Sequence, residues 1–136
     1  MKLFLDTSVL LAAAGSANGA SRFLIASASS HGWRLLSSPY CLAEVDKNIS
    51  KIGDDASGYW RKKLRSTLEL VPDCVVLDKP LLFDAIKDKP VLITALAGRC
   101  EVLLTLDRID FGTFFERGVY GLKVMTPGMF LRGLRA

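Results

Sequence analysis

Histidine is almost missing from this 136-residue chain: His31 stands alone, which excludes an acid–base ribonuclease built on two histidines. Cysteine is scarce too. Cys41, Cys74 and Cys100 are odd in number and far apart, so neither a disulfide framework nor a paired Cys-x-x-Cys zinc site is indicated, and buried free thiols are expected. No apolar run approaches the roughly 20 residues of a membrane span, and no charged, apolar, small-residue leader precedes the first one. The expectation is a soluble cytoplasmic protein with no membrane partner. A Gly-x-Ser-x-Gly elbow is lacking. The glycines at 128 and 133 have the spacing of a phosphate loop, but Leu134-Arg135 follows where such a loop needs lysine and a hydroxyl.

What is present is apolar: half the residues are hydrophobic, enough for one real core and, at this length, one domain spanning 1–136. The formal charge is +4, a modest pointer to a polyanionic partner. If four of the fourteen acids gather in one pocket, the remaining surface is more basic still.

Strand-like and helix-like segments alternate. Residues 2 to 5 read as a buried strand, and Thr7 or Ser8 can cap a helix over 9 to 14. A second helix over 20 to 30 stops near Gly32, and a strand over 33 to 38 leads to Pro39, suited to open a helix over 40 to 52. Residues 57 to 70 form an amphipathic pattern carrying Arg61, Lys62, Lys63 and Arg65. A third strand is expected over 71 to 77, short helices over 81 to 86 and 90 to 97 with Gly98 as the stop, and a fourth strand over 102 to 106. A helical segment over 111 to 116, a strand over 122 to 125 and a helix over 129 to 134 complete the chain. Such alternation implies a mainly parallel sheet covered on both faces, an α/β fold.

Asp6 ends the first apolar run and Asp107 ends a similar one, Val102-Leu103-Leu104-Thr105-Leu106-Asp107. On parallel strands both carboxylates emerge at the carboxyl edge, where open α/β sheets bind ligands. Leu5-Asp6-Thr7-Ser8-Val9, Leu42-Ala43-Glu44-Val45, the segment from Asp88 through Pro90 to Ala97, and Thr105-Leu106-Asp107-Arg108-Ile109-Asp110 together resemble the acid-bearing segments of PIN-domain ribonucleases, which include the toxins of VapBC-type toxin–antitoxin pairs. The resemblance implies a three-layer α/β/α fold with a five-stranded sheet in the order 3-2-1-4-5. It implies a metal-dependent endoribonuclease cutting RNA, with Asp6, Glu44, Asp88 and Asp107 as catalytic and metal-binding acids. A cognate antitoxin protein covering the active-site groove, and a homodimer formed through apolar helices, are the partners it implies.

Electrostatics agree with a metal. Carboxylates about 5 Å apart repel by roughly 3 kcal/mol per ionised pair at an effective dielectric near 20; a divalent cation removes that conflict, and all-oxygen ligands favour Mg²⁺ or Mn²⁺. Asp6 and Asp107 would be the principal ligands. Thr7, Ser8 and Thr105 would fix carboxylate rotamers, with end-capping as their plain alternative, and Asp110 is an accessory acid. Arg61, Lys62, Lys63, Arg65 and Arg108 are candidates to hold the RNA backbone, together with Lys47 and Lys51, and Trp60, Tyr59 and Tyr40 to stack on bases. Two other functions fit less well. An aspartyl-phosphate phosphatase would need a second acid where Ser8 stands, and a non-catalytic RNA-binding module would be expected to have lost one or more of the acids.

Overall fold

A computed structural model describes residues 1–76 and 89–134. Asp88 and the helix expected over 81 to 86 lie outside the described residues. Five parallel strands, β1 (Lys2–Leu5), β2 (Arg34–Ser37), β3 (Glu69–Leu70), β4 (Val102–Leu104) and β5 (Lys123–Met125), form one sheet in the order β3-β2-β1-β4-β5. This is the order the resemblance implied. In the central strands Leu3 pairs with Leu35 on one side and Val102 on the other.

Side chains alternate between faces, and the alternation builds two cores. Leu3, Leu5, Leu35, Val102 and Leu104 pack on one face under α1 (Thr7–Gly15), α2 (Ala20–His31), α3 (Pro39–Asn48) and the aromatic ring of Phe130. Phe4, Leu36, Leu103 and Val124 fill the other face beneath α5 (Pro90–Ala97), Phe111 and Phe114. Burial on both faces explains why these strands read as continuous apolar runs. The remaining helices are α4 (Asp54–Tyr59), α6 (Arg108–Phe111), α7 (Phe114–Arg117) and α8 (Pro127–Gly133). Among the described residues no single helix is long and apolar enough to cross a membrane.

Several expected elements differ in extent. The third strand is Glu69–Leu70, ahead of the expected 71 to 77. It pairs with β2 for two residues, pinned by Arg34 donating to Glu69 at 2.6 and 3.0 Å. The helix expected over 57 to 70 begins earlier, as α4, then loosens into a π-turn at Trp60–Leu64 and a 3₁₀ turn at Arg65–Thr67. Widening at Trp60 lets its ring enter the core with no exposed surface, while its indole N–H donates to Asp46 at 2.7 Å. The third helix ends at Asn48 and finishes as a 3₁₀ turn, Ile49–Lys51. The segment expected over 111 to 116 is divided between α6 and α7.

Candidate active site

Asp6 is the N-cap residue of α1, and neither Thr7 nor Ser8 caps that helix. Both hydroxyls are used elsewhere: Thr7 lies inside the helix and donates to the Cys41 carbonyl at 3.4 Å, tying the starts of α1 and α3 together. Ser8 donates to Asp6 Oδ2 at 3.1 Å and accepts the Leu106 amide at 3.0 Å. Thr105, fully buried, donates to the same Asp6 oxygen at 2.7 Å and accepts the Asp107 amide at 3.0 Å. Two hydroxyls thus hold the ends of β1 and β4 together and fix the Asp6 rotamer. Asp6 keeps only 8% of its surface exposed.

Burial pushes the Asp6 carboxyl above its ordinary value. The hydrogen bonds from Thr105 and Ser8 oppose that rise, and the charge of Asp107 adds to it. Asp107 is half-buried and caps α6, its Oδ1 accepting the Asp110 amide at 2.9 Å. Glu44 sits one turn beyond Tyr40 on α3, whose start is set by Pro39 and by Ser38 accepting the Cys41 amide. The Tyr40 hydroxyl is pushed above its ordinary value by the charge of Glu44 first, then by burial, and less by Cys41 and Asp6. Tyr40 itself is 54% exposed.

The donor set fits a hard divalent cation. Asp6, Glu44 and Asp107 offer only oxygen, the donor type hard cations prefer, and the nearby Cys41 thiol is pushed up by burial and further by Asp6. The ion pairs Arg34–Glu69, Arg65–Asp46 and Lys89–Asp110 involve none of these three acids. Among the described residues no three ionisable ligands stand close enough to hold a metal ion; Asp88, the fourth expected acid, is outside them.

Other expected residues fall further away. Arg61, Lys62 and Lys63 are exposed on the π-turn. Arg65 reaches Asp46 at 3.5 Å, and Asp46, two residues after Glu44 on α3, points to nearly the opposite side of that helix. Trp60 belongs to the core, and the ring of Tyr59 is covered by the Arg22 guanidinium at 3.6 Å. Arg108 is next to Asp107, its guanidinium 5.0 Å from the Phe115 ring. Lys89, not singled out in the sequence, pairs with Asp110 at 3.6 Å. Its place beside Asp88 at the start of a helix was the available signal. Asp73, also unnoticed, accepts the Tyr40 amide at 3.1 and 3.3 Å.

A parallel sheet with the buried Asp6 and the half-buried Asp107 and Glu44 towards its carboxyl edge defines an α/β protein with an acidic, oxygen-donor site. Residues 2–109 match the family model of the PIN domain, and the chain belongs to that family. Among solved structures, a chain in the crystal structure of VapBC2 from Rickettsia felis bound to a DNA fragment from their promoter is similar, with a TM-score of 0.59 and 19% identity. The match covers 91% of this chain and 97% of that one. At that identity the likeness concerns the fold. No curated protein sequence matches the chain.

Proposed function

We propose that this PIN-domain protein is a metal-dependent endoribonuclease and the toxin of a VapBC-type pair. The observation that carries the reading is the buried Asp6 carboxylate, held by Thr105 and Ser8 beside Asp107. A structural acid so placed would gain from a basic neighbour, whereas a ligand gains from a cation. Asp6 and Asp107 are the principal ligands in this reading, with Glu44 and Asp88 completing the set for Mg²⁺ or Mn²⁺. When bound, the cation neutralises phosphate charge and activates water for in-line displacement. The chain's own part is positional: Thr105 and Ser8 lock Asp6, Thr105 aligns the backbone of Asp107, and Arg108 and Lys89 offer positive charge to the RNA backbone. Arg61, Lys62 and Lys63 would lengthen that track, with Arg65 serving it from its pair with Asp46.

The test is cleavage of an RNA containing single-stranded loops by purified protein with Mg²⁺, Mn²⁺ or EDTA. Cutting is expected with metal only, and lost by at least 100-fold in Asp6→Asn and Asp107→Asn, the scale on which active-site charge stabilisation acts. Cutting that survives both substitutions overturns the reading. The antitoxin is tested separately: the product of the neighbouring gene should co-purify with the chain and suppress cleavage. Its failure to bind removes the toxin role and leaves the nuclease.

A further inference from the structure

Beside the acidic edge lies a cavity of about 490 Å³, lined among others by Tyr40, Asp73, Lys89, Val91, Thr94 and Phe111. It adjoins the candidate active site through Phe111, whose amide donates to the Asp107 carbonyl at 3.2 Å in the helix that Asp107 caps, and through Tyr40, one turn before Glu44 on α3. The volume and the apolar lining of Val91 and Phe111, with the aromatic ring of Tyr40, suit a flat heterocycle. The cavity's polar side chains include Thr94, Asp73, Asp110 and Lys89, and Lys89 pairs with Asp110 at 3.6 Å. The Thr94 hydroxyl is already closed, accepting the Cys74 amide at 3.0 Å and donating to the Cys74 carbonyl at 3.2 Å. Asp73 is held by the Tyr40 amide at 3.1 and 3.3 Å, and each carboxylate oxygen keeps a further lone pair.

Two adjacent acceptors select for two adjacent donors. On its pairing edge guanine presents N1–H and N2–H side by side, whereas adenine, cytosine and uracil each mix donors with acceptors. We propose that this cavity is the nucleobase subsite beside the cut and that it takes guanine, with Tyr40 stacking on the base, Asp73 accepting from N1–H and N2–H, and Lys89 facing the adjoining phosphate. The assignment of the base to a position beside a cut rests on the ribonuclease reading; recognition of the base does not.

The experiment titrates the full-length protein in EDTA with guanosine, adenosine, cytidine and uridine monophosphates, followed by NMR, and then maps the bases at cut sites in RNA with metal. Guanosine monophosphate is expected to bind about tenfold or more tightly than the others, the discrimination a good bidentate contact gives. Asp73→Asn retains an oxygen for the Tyr40 amide but replaces the second acceptor by an NH₂ donor group, and should erase that preference while melting near wild type. Tyr40→Ala should weaken all four nucleotides together. Equal binding of the four, or an unchanged preference in Asp73→Asn, overturns the subsite. Metal-dependent cutting that Asp6→Asn abolishes but that ignores base identity and Asp73→Asn removes the subsite and leaves the nuclease. Guanosine preference with no cutting of any RNA removes the nuclease and leaves the pocket.

Discussion

The single proton of the buried Thr105 hydroxyl goes to Asp6, and its lone pair takes the Asp107 amide. Thr105→Val keeps the shape and deletes both bonds, leaving a buried carboxylate short of a donor and an amide without its acceptor. A loss of about 1–3 kcal/mol in chemical denaturation is expected, with cleavage reduced roughly 10–100-fold, and Thr105→Ser should restore most of both. Equal stability of the valine variant would show that Ser8 alone suffices. Cys100 illustrates burial without function. Burial raises its thiol from 9.0 to about 11, so between those values the unfolded chain releases a proton that the folded chain retains. Folding stability therefore falls as pH rises from about 9 to 11. The stability difference between wild type and Cys100→Ala, taken from urea midpoints at pH 8 and 10.5, should shift in favour of alanine at the higher pH; a constant difference would refute the effect.

Among the elements, those marked by local chemistry were legible in the sequence. Gly32 ends α2 in the left-handed region at φ 70°, and Pro39 opens α3 behind the Ser38 cap. Gly98 was read as the stop of the helix over 90 to 97, and α5 does end there, although the φ of Gly98 is −75° and the positive φ falls on Arg99. What Gly98 supplies is room, since a Cβ there would stand 3.0 Å from Val71. The third strand was displaced because propensity favoured Val71 onward, while the ladder to β2 and the Arg34–Glu69 pair select Glu69–Leu70. Gly118 unites both demands: its φ is +61°, and an added Cβ would meet the Leu122 carbonyl oxygen at 2.5 Å, where the chain turns into β5. Gly118→Ala should cost about 2 kcal/mol or more, read as a lowered urea midpoint with an unchanged slope. A loss below about 0.5 kcal/mol would mean that this turn relaxes freely.

Taken whole, the α/β class follows from alternating elements whose apolar strands are buried on two faces, the strand order followed from the family resemblance, and Asp6 and Asp107 were found because each ends such a run. Tyr40 was legible as an aromatic that could stack on a base, whereas Asp73 and Lys89 escaped because no motif singles them out; only the crossovers of a parallel sheet bring residues from three distant segments to one edge. That edge carries a conflict that a cation should resolve across the entire molecule. A ligand that binds the folded state alone stabilises it by about 2.7 kcal/mol at one hundred times its dissociation constant, roughly 5–10 °C in Tm for a chain of this size. Wild type should gain this with saturating Mn²⁺ or Mg²⁺. Asp6→Asn should gain nothing, and in EDTA should melt at or slightly above wild type, because it removes a buried charge facing Asp107 while keeping an acceptor for Thr105. A sharp fall in the melting temperature of Asp6→Asn in EDTA would make Asp6 a structural residue. A wild-type protein indifferent to either metal would withdraw the cation from the proposed mechanism.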